Sequence, residues 1–166
     1  GTTVLSATSG SILASTADFL MPQTKDLMFF DAFARIGPRR YKHPGEKWQL
    51  QDLIKELDHC SVSGALVAST LSLSYDAMYS NLELSNNLKP YPNLFAIWNV
   101  LPHHTNECLP PAQLKLKMAE HNVRAVTIHP ASNGWDWSAQ SSQELMKYLN
   151  DNKIFTITTV PEIGGW

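Results

Sequence analysis

The sequence predicts an α/β protein made of repeated βα units around a parallel sheet, and three observations carry that prediction. Short, almost continuously apolar runs alternate with longer segments that are apolar on one face only. Five runs of the first kind are separated by four segments of the second. Each intervening segment is long enough for a crossover helix, and right-handed crossovers join strands that run parallel. Such a chain forms either an open doubly wound sheet or part of a (β/α)8 barrel.

The first strand is read at Leu27-Met28-Phe29-Phe30-Asp31, an apolar run closed by a carboxylate. Gly37-Pro38 and a basic loop through Gly45 follow. Leu50, Leu53, Ile54 and Leu57 then recur at helical spacing on one face. Gly64 to Ser69 is a compact buried strand, and Tyr75 to Leu88 reads as a second helix stopped by Pro90 and Pro92. Leu94 to Leu101 is the third strand. Pro110-Pro111 opens a helix carrying Leu114 and Met118, proline being favoured in a first turn that has no partner for its N–H. Val123 to Ile128 is the fourth strand and leads into His129-Pro130. Ser138 to Asn150 is the fourth helix, and Ile154 to Val160 the fifth strand.

Composition narrows the function classes. The chain has 166 residues, 43% of them hydrophobic and 17% charged, enough for a sizeable core without disulfides or structural metal. The net charge is −2 with Lys and Arg scattered, so no phosphate-tracking surface and no nucleic-acid partner is expected. Cys60 and Cys108 form no metal-knuckle or disulfide spacing and read as inert thiols. No stretch approaches the roughly 20 apolar residues of a membrane helix. No GxGxxG or GxxxxGK[ST] follows the first strand, which leaves nucleotide binding without support. Residues 1–25 read either as an N-terminal arm or as the remnant of an export signal, so bacterial cytoplasm and periplasm both stay open. Residues 26–166 are read as the βα-repeat portion.

Four stretches resemble the amidohydrolase-2 family. Phe30-Asp31-Ala32-Phe33-Ala34-Arg35-Ile36-Gly37 stands where that family has a strand ending D-x-H-x-H-x-G. Asn87-Leu88 with Tyr91-Pro92-Asn93-Leu94-Phe95 and Val100-Leu101-Pro102 resembles its third-strand entry. His121 to Pro130 resembles its fourth strand, and Lys153 to Thr159 occupies the place of its fifth. The resemblance spans residues 26 to 162. It implies a TIM (β/α)8-type barrel of which this chain supplies about the first five strands. It also implies a hydrolase acting on a small, anionic amide, ester or lactone. A full barrel takes about 250 residues, so we expect a homo-oligomer or completion by further chain.

The resemblance further implies a metal held by two histidines on strand one. Phe33 and Arg35 stand in those positions, and Thr158 and Thr159 replace a fifth-strand histidine. Phenylalanine has no lone pair to offer and arginine does not give up its proton. The expected metal ligands are therefore none. A divalent ion such as zinc is admitted only at a relocated site.

Barrel chemistry sits at the C-terminal ends of the strands. That rule selects Asp31, His129 and Glu162 as candidate catalytic groups, with Arg35, His103, His104 and Thr159 as candidate substrate contacts. It also picks out Ser69 and Thr70. Each has a plainer reading beside it. Arg35 either binds a substrate carboxylate through its planar fork or pairs with Asp31 or Glu162. His129 is either a site residue or a histidine tied down by backbone hydrogen bonds. His103 and His104 are adjacent, so at most one faces the site, and a solvated pair is the plainer reading. Glu162 is either a general base or a rim salt bridge. Arg39, Arg40, Lys42 and His43 form a basic loop that is either solvated or attracts an anion. Trp135 and Trp137, flanking Asp136, either wall a ring-shaped substrate or pack on a helix. The alternative to a hydrolase is a catalytically silent member that binds a small ligand or serves as an interaction scaffold.

Overall fold

The computed structural model describes residues 27–38 and 44–164. The arm or export remnant read over 1–25, the basic cluster Arg39, Arg40, Lys42 and His43, and the terminal Gly165 and Trp166 lie outside the described residues. Five parallel strands are paired in chain order: β1 (Phe29–Ile36), β2 (Val62–Ser69), β3 (Leu94–Asn99), β4 (Ala125–Thr127) and β5 (Phe155–Ile157). Four helices alternate with them: α1 (Leu50–His59), α2 (Ala77–Leu88), α3 (Pro111–Glu120) and α4 (Gln143–Asp151). A doubly wound sheet reverses its strand order at a switch point. This sheet does not, and it curls into half of a barrel.

Two boundaries differ from the sequence reading for identifiable reasons. The first strand runs on to Ile36 instead of closing at Asp31. A bulge allows this: Asp31 is in register with Ala65 but Ala34 with Val67, so β1 holds one extra residue between them. The Asp31 carboxylate accepts the Phe33 N–H at 2.9 Å and fixes the bulge. The fourth helix begins at Gln143, later than expected, because Gln140–Ser142 forms a tighter 3-10 turn. There the buried Ser142 hydroxyl donates to the Asp136 carbonyl at 2.6 Å. Helix α3 starts at Pro111 as its prolines require, and the Asp76 carboxylate caps α2 through the Tyr79 N–H at 2.6 Å.

Alternation along the strands produces two apolar layers. Ala34, Ala65, Val67, Ala96, Trp98 and Val126 point outwards and bury the helices' apolar faces through Leu57, Leu84, Leu114 and Leu145. Leu66, Ala68, Ile97 and Ala125 point inwards with Phe33, Phe95 and Ile157 against them. The inner layer is only half closed. Phe29 and Phe30 on β1 are each 51% exposed and Phe155 on β5 is 55% exposed, on strands that among the described residues pair along one side only.

A polar clamp ties α2 to the end of β3. The fully buried Asn81 amide donates to the Asn99 carbonyl at 2.8 Å, and its oxygen accepts the Asn99 N–H at 3.0 Å. Nearby, the Trp98 indole donates to Ser85 Oγ at 2.8 Å. Replacing Asn81 by leucine leaves the buried Asn99 N–H unpaired and its carbonyl with only the long contact from the Cys108 thiol at 4.0 Å, at about 1–3 kcal/mol for each group. Urea unfolding of Asn81→Leu is expected to show a loss of about 2–5 kcal/mol. A loss well under ~1 kcal/mol would mean those groups find other partners.

Candidate active site

The C-terminal ends of β1, β2 and β4 bring Arg35, Ser72, Thr127 and His129 around a cavity of about 10 Å³, room for about one water molecule. Arg35 is in register with Ala68, an inward residue, so its side chain belongs to the mouth. Its guanidinium carbon lies 4.6 Å above the centroid of the Phe33 ring. Of the two carboxylates that the sequence offered as its partners, Asp31 accepts the Phe33 N–H and Glu162 accepts from Ser132. A second, larger cavity of about 280 Å³ adjoins Arg35 on its other side, lined by Gly37, Glu46, Lys47, Trp48 and Thr70.

That second cavity is held open by a pinned loop. The Gly37 N–H donates to the Trp48 carbonyl at 2.8 Å, and Thr70 Oγ1 donates to the Pro38 carbonyl at 2.9 Å. Gly37 has φ +100°, and a Cβ there would lie 2.5 Å from Thr70 Oγ1, so glycine is required on both counts.

His129 and Glu162 meet where the loops after β4 and β5 come together. The His129 Nδ1 lies 3.7 Å from Glu162 Oε1, an ion-pair contact longer than a hydrogen bond, and both side chains are largely buried. Ser132 completes the group: its N–H and hydroxyl both donate to the Glu162 carboxylate, at 2.9 Å and 2.5 Å. Burial pushes the Glu162 carboxyl up, but the two Ser132 hydrogen bonds and the His129 charge outweigh it and hold the group below its ordinary value. Burial also holds His129 below the usual imidazole value. The Glu162 charge opposes that shift and the Arg35 charge adds to it. The arrangement is thus a neutral imidazole between a fixed carboxylate and a fixed cation. It can accept a proton on one side and bind an anion on the other.

The other candidates fall elsewhere. Asp31 lies within β1 and not after it, because the strand runs on to Ile36 and the bulge sets Asp31 in register with outward-facing Ala65. His103 turns towards α4, its Nδ1 3.3 Å from the exposed Glu144 carboxylate, and His104 is exposed beside it. Thr159 is exposed, and its carbonyl accepts the Glu162 N–H at 3.0 Å, which helps seat that carboxylate. Trp137 donates its indole N–H to the Ile163 carbonyl, whereas Trp135 packs in the helix-facing core. Ser132, Thr127 and Ser72 went unselected, although the Ser-Asn-Gly turn after His129 is the kind of signal that marks a side chain poised over a strand end.

The acid branch of the stability profile follows from these shifts. His129 and Glu162 both bind protons less readily in the folded state than in the unfolded chain. Folding is therefore destabilised as pH falls, first below about 6.5 through His129 and then below about 4.5 through Glu162. Thermal unfolding between pH 8 and pH 4 should show a midpoint that declines in these two windows. His129→Gln should flatten the upper window and Glu162→Gln the lower one.

No family model matches the chain, and no curated protein matches it. Solved structures do. The chain is similar to the 5-carboxyvanillate decarboxylase LigW from Sphingomonas paucimobilis, with a TM-score of 0.61 at 9% identity over 78% of this chain and 51% of that one. It is similar to LigW2 from Novosphingobium aromaticivorans, solved with bound manganese and 3-methoxy-4-hydroxy-5-nitrobenzoic acid, with a TM-score of 0.62 at 12% identity over 80% and 50%. It is also similar to a probable 2-pyrone-4,6-dicarboxylic acid hydrolase from Acinetobacter baumannii with citric acid bound, with a TM-score of 0.57 at 14% identity over 78% and 48%. The chain spans about half the length of these structures, and at such identities the likeness establishes the fold: the first five strands of a TIM-type α/β barrel.

Proposed function

We propose that this chain is a portion of an amidohydrolase-type barrel whose mouth acts on a small anionic amide, ester or lactone through Arg35, His129 and Glu162. The observation that carries the reading is the placement of Arg35 and His129 on one cavity at the strand ends. The names of the structural neighbours support the substrate class, since they include a carboxyvanillate decarboxylase and a pyrone dicarboxylic acid hydrolase. One neighbour is solved with manganese. The residues here do not fit such an ion. The strand-one positions in question hold a phenyl ring and a guanidinium, and among the described residues no three of His, Cys, Asp and Glu gather into a donor set. A fixed cation at that place would also repel a second one.

In this reading Arg35 grips a substrate carboxylate bidentately. Glu162 keeps the His129 Nδ1 protonated, which leaves Nε2 to take the proton of an attacking water. Glu162 then stabilises the imidazolium until the proton passes to the leaving group. The open edges at β1 and β5 are covered by a second copy or by further chain, which also screens the mouth from water.

A second reading, the silent ligand-binding or scaffold protein, is favoured by the small size of the Arg35–His129 cavity. Two measurements separate them. Calorimetric titration with citrate should show binding that Arg35→Met weakens by about tenfold or more. Hydrolysis of anionic aryl esters and lactones, assayed with a chelator present, should fall by about 10²–10⁴ in His129→Gln while KM changes little. Binding without turnover selects the scaffold, and absence of both rejects the site.

A further inference from the structure

We infer that a second binding site, for a neutral carbohydrate, lies on the outer surface of the half-barrel between α1 and α2. Both helices pack on β2, yet a cavity of about 610 Å³ parts them, within the size range of small-molecule sites. It runs from Gly37 and Trp48, at the strands' C-terminal ends, to Pro90 and Tyr91 beyond the last turn of α2. Its floor is apolar, built from Ile36, Leu50, Leu71 and Leu84.

The walls define the ligand. Glu83 is the only charged residue among the described residues that line the cavity, and its carboxylate favours a neutral ligand over an anion. The remaining polar side chains are largely carboxamides: Gln51 on α1, and Asn86 and Asn87 on α2. Among the described residues none of these, nor the Glu83 carboxylate, makes a side-chain hydrogen bond or ion pair. A carboxamide both donates and accepts, as a pair of sugar hydroxyls does. Trp48, 40% exposed, and half-buried Tyr91 offer aromatic faces for the C–H side of a pyranose ring. An extended peptide fits less well, because its binding relies on an unpaired strand edge. Here the walls are helices whose backbone groups are already paired.

This cavity lies on the helix side of the sheet, away from His129, and it meets the cavity beside Arg35 only at Gly37 and Trp48, which line both. Saturation-transfer NMR with cellobiose, maltose and lactose tests it. At least one of these should receive saturation on its ring protons at millimolar concentration, and Trp48→Ala should reduce the effect about tenfold or more. Asn87→Leu, at an exposed helix position that puts folding at little risk, should reduce it as well, while His129→Gln leaves it unchanged. Three results would overturn the inference: no transfer to any of the three sugars, transfer indifferent to both cavity variants, or glucuronate bound as well as the neutral sugars. None of them bears on the citrate and hydrolysis measurements, so the two readings fail separately.

Discussion

Successive residues of a strand face opposite sides of its sheet, and the architecture of this chain depends on that alternation. It sends Ala65 and Val67 to the helices while Leu66 and Ala68 go to the barrel interior, so each strand serves two cores at once. In β1 the alternation is interrupted. Without the bulge, Asp31, Phe33 and Arg35 would share one face and a carboxylate would stand in the barrel beside the guanidinium. The bulge turns Asp31 out of that row and leaves Phe33 and Arg35 in it. The Asp31 side chain fixes the bulge through the Phe33 N–H and so helps to remove itself from the site. A guanidinium with no carboxylate beside it on the inner face of β1 follows from that local event.

The electrostatics of the mouth follow from burial and this cation together. A buried imidazole resists protonation because its charged form loses solvation, and a guanidinium facing the same cavity resists it further. Glu162 opposes both without outweighing the loss of solvation. Its carboxylate is held in place by the two hydrogen bonds from Ser132. The result is a base kept neutral between two fixed charges, the condition under which a histidine accepts a proton near neutral pH.

Much of the fold was legible because it rests on periodicity. The apolar runs at Gly64–Ser69 and Leu94–Leu101 and the prolines at 110 and 111 mark strands and a helix start that the structure reproduces to within a few residues. Arg35, His129 and Glu162 were legible as strand-end residues, and the structure brings His129 within reach of Glu162 and onto one cavity with Arg35. Asp31 was misplaced because a bulge adds a residue without changing the hydrophobic pattern. The short 3-10 turns after β2, β3 and β5 were missed for a related reason: three or four residues carry too little periodicity to register. His103 could not be assigned from sequence, since its partner Glu144 belongs to another helix. Ser132 was hidden likewise, because its acceptor lies 30 positions away.

The central claim is that Arg35 and His129 form one electrostatic unit at the mouth. Nitrogen-15 NMR of the histidine side chains, titrated from pH 8 to pH 4, tests it most directly when wild type is compared with Arg35→Met. The account predicts that His129 titrates below the usual imidazole value in the wild type, with its proton on Nδ1, and that removing the guanidinium raises that value. A His129 titration that is unperturbed, or that does not move when Arg35 is replaced, would contradict the account.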